Sequence, residues 1–304
     1  HCYELPEGGK DFKGRAIQNM MNIEPDDKIQ YILRLRPGAY VDEDFINNHY
    51  VVFSTKNGTV KKTVLEQFSR PRANGVIAIN LLEGDELIDV RLTNGNNELI
   101  IASRNGRAVR FHENKIRTMG RVSTGVRGMS LDNNDDAVVG MIVVNDAQLE
   151  NVMVVSENGY GKRSQVEEYR VTNRGGKGVR TMNVTEKTGK LVAIKNVNDD
   201  NDLMIINKSG IAIRLSVAEC RVMGRNTQGV KLINLAKKND VIAAVTKVMG
   251  IEQQTDLEEA SRAAWAKNNE EFAQTDDSAS DAPVDEEFEN DADADIPANE
   301  PADE

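Results

Sequence analysis

A short turn that recurs about every fifty residues constrains this chain more than any other feature. Asn57-Gly58, Asn105-Gly106, Asn158-Gly159 and Ser209-Gly210 each lie between two runs of apolar and β-branched residues, with glycine intervals of 48, 53 and 51 positions. Asn-Gly between such runs signals a β-hairpin, and a hairpin at fixed period marks a bladed or solenoid β-fold. A second set of glycines, Gly14, Gly75, Gly125, Gly178 and Gly229, keeps a similar period, and the last four follow the preceding hairpin glycine by 17 to 19 residues. Each opens an apolar alternation, as in Val76 to Leu81 and Val230 to Leu235, the period-two pattern of a half-buried strand. A further strand is expected at Asp85 to Leu92, Ala137 to Val144, Leu191 to Val197 and Asp240 to Val248. Hairpin and additional strands make four per period, one blade of an all-β, propeller-like fold.

Composition divides the chain. Of its 304 residues, 251–304 hold 19 Asp and Glu against Arg262 and Lys267, a net charge of −17. The remaining 36 bases and 30 acids give residues 1–250 a net charge of +6, so the overall −11 hides a basic body. Residues 1–250 are therefore read as one array of modules. Residues 251–274 form a linker in which Leu257, Ala260, Ala264 and Trp265 share a short helical face, and 275–304 are a disordered acidic tail too poor in apolar side chains to offset its ordering entropy. Spacing back from Gly14 makes His1 to Leu5 the outgoing strand of a truncated blade. With no initiator Met, the chain is expected to be a piece of a longer polypeptide.

Several function classes are excluded at this level. Cys2 and Cys220 have no paired or zinc-type spacing, no apolar run suits a bilayer, and no signal peptide is visible, so a cytoplasmic protein with no membrane partner is expected. His1, His49 and His112 are scattered without a nucleophile or carboxylate motif, so no catalytic residue, metal or cofactor is assigned to this chain. Asp132 to Asp136 and Asn198 to Asp202 lack the glycine and distal glutamate of a calcium loop and read as solvated turns. Phe53, Phe68, Phe111 and Tyr169 are expected in the core.

The bases, by contrast, are phased. Four residues after each hairpin glycine stand Lys62, Arg110, Arg163 and Arg214, with Lys61, Arg107 and Lys162 beside them. Equivalent positions in a ring of blades trace one curved stripe, although edge-strand bases also serve simply to discourage aggregation. Four residues before the second glycine stand Lys10, Arg121, Arg174 and Arg225, with Arg72 one place out of register; two residues after it come Arg127, Arg180 and Lys231. The loop Arg174-Gly175-Gly176-Lys177-Gly178 is flanked by Arg170 and Arg180, yet lacks the Ser or Thr and the spacing of a nucleoside-triphosphate loop. Loop bases among Gly, Ser, Thr and Asn suit phosphate oxygens. No long helix within residues 1–250 could read base edges, and aromatics, 5% of the chain, are too few for stacking on single strands. The expected contact is with duplex DNA backbone, independent of sequence.

Lys61-Lys62-Thr63, Phe68-Ser69-Arg70-Pro71-Arg72, Met119-Gly120-Arg121, Asn158 to Arg163 and Gly224 to Val230 resemble the blades of the DNA gyrase A C-terminal domains over residues 1–250. That resemblance implies a six-bladed β-pinwheel with a truncated first blade, strand exchange between neighbours, and a basic perimeter that wraps duplex DNA. It further implies attachment to the remainder of gyrase A, and a heterotetramer with gyrase B that uses ATP and Mg for negative supercoiling. The family's catalytic tyrosine lies in a domain absent here, and its tails imply competition with DNA for the rim. The family's Gln- and Arg-rich, double-glycine box has no counterpart in its usual first blade; the nearest stretch is Arg174 to Gly178. The alternatives are the corresponding domain of topoisomerase IV, usually with fewer blades, and a kelch- or WD-like scaffold, whose characteristic Trp residues 1–250 lack.

Overall fold

The computed structural model describes residues 13, 16–19, 29–35, 42–70, 75–235 and 240–250. Arg72, Lys10, Gly14, the expected first strand at His1 to Leu5, the linker helix and the acidic tail lie outside those residues. The chain divides into two units, His1–Ile251 and Glu252–Glu304, and all described residues fall in the first.

Three hairpins begin the blades: β1 (Tyr50–Thr55) with β2 (Thr59–Val64), β4 (Glu98–Ser103) with β5 (Arg107–His112), and β8 (Asn151–Ser156) with β9 (Tyr160–Gln165). The fourth joins β12 (Asn201–Asn207) to β13 (Ala212–Ser216). Each first strand also pairs with a long strand further on: β1 with β3 (Leu87–Thr93), β4 with β7 (Val138–Val144), β8 with β11 (Leu191–Val197) and β12 with β15 (Ile242–Met249). These four fall where the alternation predicted them.

The remaining strand of each blade differs from expectation. The alternating segments after the second glycines yield only two-residue strands, β6 (Val126–Arg127), β10 (Val179–Arg180) and β14 (Val230–Lys231), and residues 75–82 form none. Each short strand crosses back to the preceding hairpin, giving sheet orders β3-β1-β2-β6, β10-β5-β4-β7 and β11-β8-β9-β14, while β13-β12-β15 has three strands. Neighbouring blades thus exchange strands as the resemblance implied. The six-blade expectation is corrected: the described residues form four blades, each built on one of the four hairpins among them.

The core lies between blades. Leu99 and Ile101 pack with Val52 and Val60 of the preceding blade, whereas Ile100 and Ala102 pack with Val152 and Val154 of the following one. A strand covered on both faces reads as a continuous apolar run, and Leu99 to Ala102 are all fully buried. At about 1.5–3 kcal/mol per fully buried aliphatic side chain, these shared layers join the blades. Phe53, Phe111 and Tyr169 are buried, and Phe68 packs against the cluster of Ile46, Val51, Phe53, Leu65 and Val90, as expected.

Candidate nucleic-acid interface

The bases four residues after the hairpin glycines do not form an exposed stripe. Lys62, Arg110 and Arg163 are buried, and their backbones bridge to Thr118, Val171 and Val222 of the next repeat. Lys62 Nζ donates to the Glu113 carbonyl at 3.2 Å and lies 3.5 Å from its carboxylate. The Arg110 guanidinium pairs with Glu98 and donates to the carbonyls of Val166 (2.8 Å) and Tyr169 (3.0 Å). Arg163 pairs with Asp199 and donates to the Cys220 carbonyl, and Arg214 pairs with Asp202 at 2.7 Å. The first three reach the one-turn segment that ends the following hairpin, adding a side-chain donor to carbonyls of which Glu113 and Val166 already accept from Ile116 and Tyr169. Their shared phase therefore reflects an interblade clamp. Periodicity fixes equivalence, not exposure.

Lys61 and Lys162 are also fully buried. Lys61 Nζ donates to the carbonyls of Ala78 (2.6 Å) and Arg121, and Lys162 Nζ to that of Gly224 (2.6 Å). Burial, with Arg121 nearby, holds the Lys61 ammonium down to about 8. Burial and Arg225 do the same for Lys162, against Glu168, also to about 8.

The second set of loops carries the accessible charge. Arg127, Arg180 and Lys231 are exposed at the same place on β6, β10 and β14, opposite Thr59, Arg107 and Tyr160. Successive loops are zipped by one repeated hydrogen bond: Asn80 N to Ser123 O (3.3 Å), Ser130 N to Gly176 O (3.0 Å) and Asn183 N to Thr227 O (3.0 Å). The half-buried Arg174 and Arg225 extend this linkage, donating to the carbonyls of Arg127 and Arg180, each at 2.9 Å. Arg121 is half-buried, its backbone N–H held by Gln67 at 3.1 Å.

Beside the loop of Arg174 to Gly178, Asp132 binds Arg107 at 2.7 Å and lies 3.5 Å from the exposed Lys177 of that loop. Burial pushes the Asp132 carboxyl up, but Arg107 and Lys177 outweigh it and hold it below the usual carboxylate range. Asp136, expected in a solvated turn, is buried and accepts the backbone N–H of Asn105 at 3.0 Å, fixing the hairpin. Arg107, Arg127, Arg174, Lys177, Arg180 and Arg225 thus form one connected basic tract over neighbouring loops. Lys231 continues it with Nζ 6.0 Å from the Tyr160 ring centroid.

Three further exposed arginines, Arg117, Arg170 and Arg221, stand eight residues before Gly125, Gly178 and Gly229. The sequence pattern brings out Arg170 only as a flank and passes over the other two, although their shared phase is a signal that finds them. Among the described residues no group of three or more His, Cys, Asp or Glu could hold a metal ion, and no helix is long and apolar enough to cross a membrane.

Fold and surface together define a strand-exchanged β-propeller with a basic rim of loops. The family model for the DNA gyrase C-terminal domain, beta-propeller, matches residues 49–94, 97–145, 150–198 and 201–248, one match per blade, and the chain belongs to that family. DNA gyrase A of Staphylococcus aureus is 39% identical over 270 residues, 88% of this chain and 30% of the relative. Its counterpart in Staphylococcus epidermidis is 42% identical over 246 residues, 81% of this chain and 27% of the relative. The chain thus spans less than a third of the curated relatives' length. Among solved structures, the C-terminal domain of DNA topoisomerase IV superposes with TM-score 0.71 at 25% identity, covering 81% of this chain and 75% of that one. The DNA gyrase A C-terminal domain superposes with TM-score 0.67 at 24% identity, covering 78% and 76%, a likeness of fold.

Proposed function

We propose that this domain binds duplex DNA through its phosphate backbone along the loop rim and bends the duplex around the blades. In the whole bacterial enzyme, a cytoplasmic heterotetramer of gyrase A and gyrase B that uses ATP and Mg, this bend biases strand passage toward negative supercoils. The observation that carries the reading is the recurrence of exposed Arg127, Arg180 and Lys231 at one edge position of three consecutive blades. Bending a short duplex costs on the order of several kcal/mol, and phosphate contacts spread over several blades, with counterion release, offset it.

The test is fluorescence anisotropy of a labelled duplex over a salt series. The chain is expected to bind different sequences alike, with a steep salt slope. The triple variant Arg127→Ala, Arg180→Ala, Lys231→Ala should lower the slope by about 3, roughly one per lost phosphate contact. A slope near zero in the parent chain rejects the reading. The TM-score of 0.71 to the topoisomerase IV domain supports a second reading, in which the whole enzyme separates linked duplexes. Supercoiling and decatenation assays of the full-length protein with its partner distinguish the two.

A further inference from the structure

Each second-glycine loop stands on two feet along the outer edge of one hairpin strand. The first foot bridges at Thr118, Val171 or Val222 to Lys62, Arg110 or Arg163. The second returns as β6, β10 or β14 and places Arg127, Arg180 or Lys231 opposite Thr59, Arg107 or Tyr160. These partners are three positions apart on the strand, so the feet are separated by about 10 Å at 3.3 Å per residue. Immediately before each first foot comes an exposed arginine, Arg117, Arg170 or Arg221, with no ion pair among the described residues. The rim therefore carries two rows of bases, one at each foot.

The space between the feet is open where it is best defined. In the third repeat a cleft of about 320 Å³ has residues 108–110 as its floor, Arg170, Thr172 and Asn173 on one wall, and Gly176, Lys177 and Gly178 on the other. Arg170 and Lys177 are exposed side chains on opposite walls, while the Arg110 guanidinium below them is taken up by Glu98 and two carbonyls. A trough walled by cations on two sides suits a single dianionic or monoanionic oxyanion group, which both walls can contact at once.

We propose that Arg117, Arg170 and Arg221 form a second row of phosphate contacts, so that each loop grips one backbone phosphodiester from both sides, with the Arg170–Lys177 cleft as the best-formed subsite. This rests on the reading that the rim binds duplex DNA, and deepens it by naming the residues opposite the Arg127, Arg180 and Lys231 row. Arg170 should act on every DNA sequence alike, because a phosphate carries no base identity.

The test is anisotropy of a labelled duplex over a salt series, using the full chain. Arg170→Ala is expected to lower the salt slope by about 1, and the triple variant Arg117→Ala, Arg170→Ala, Arg221→Ala by about 3, uniformly across sequences. Arg170→Lys should keep the slope. Thermal unfolding should be unchanged in all variants, since these side chains are exposed; a parental slope in a triple variant that melts normally overturns the proposal. If only the Arg127, Arg180 and Lys231 triple lowers the slope, the second row is wrong and DNA binding stands. If the parent chain itself has no slope, both fall together.

Discussion

At the scale of single residues, the bases of this chain divide by what surrounds them. Arg110 holds Glu98 and two carbonyls while buried. Arg110→Ala removes the cation beside the half-buried Glu98 and one donor from each carbonyl, and is expected to destabilise the domain by about 3 kcal/mol, read as a lowered denaturation midpoint, with the DNA salt slope of the folded protein unchanged. Asp132 works in the opposite sense, neutralising Arg107 and Lys177 beside the cleft. Asp132→Asn should tighten duplex binding about two- to five-fold at low salt, the effect of releasing one or two weakly paired surface charges. Lys61 and Lys162 give a pH signature. Their folded pKa of about 8 lies below the ordinary 10.5, so between those values the unfolded chain holds more protons and stability rises with pH. Tyr169, pushed by burial up to about 12 from 10.0, acts the other way above pH 10. Denaturant unfolding from pH 7.5 to 9.5 should therefore show increasing stability. Burial also pushes the Lys195 and Lys247 ammoniums down, so Lys61→Met with Lys162→Met should reduce that rise without abolishing it, and lower stability throughout, because the carbonyls of Ala78, Arg121 and Gly224 lose their donor.

At the scale of elements, Gly58, Gly106 and Gly159 of the first repeat and Gly125, Gly178 and Gly229 of the second mark where one stretch of backbone passes close to another. Gly178 has φ +73°, and a Cβ there would lie 2.1 Å from the Ala108 carbonyl oxygen. Gly176, in the same loop, is free of such contact. Gly178→Ala should detach β10 from β5 and lower the melting temperature, while Gly176→Ala should leave it within experimental error; amide exchange at Val179 and Arg180 reports the detachment directly. The same elements show what the sequence reveals. Hairpins and long third strands are legible because Asn-Gly turns and alternation are local. The closing strands β6, β10 and β14 are shorter than their alternation suggests because their pairing depends on a hairpin more than sixty residues back. The burial of Lys62, Arg110 and Arg163 is illegible for a related reason, since a base on an apolar strand looks the same in sequence whether it meets water or the carbonyls of the next blade. The loop bases are easier to place because loops with few apolar residues stay near the surface.

At the scale of the whole molecule, charge is unevenly distributed, with +6 in residues 1–250 and −17 in residues 251–304. Removing 251–304 should tighten duplex binding and steepen its salt dependence, because the net field on an approaching polyanion changes from repulsive to attractive. Equal affinity of the two forms at about 50 mM salt would show that the acidic segment has no influence. Strand exchange also ties the blades into one order of completion. During ribosomal synthesis the edge of β2, β5 or β9 stays unsealed until the following repeat has emerged and returned its two-residue closure. A stop or nick inside any repeat would therefore damage the finished neighbour upstream, exposing a bare sheet edge to aggregation.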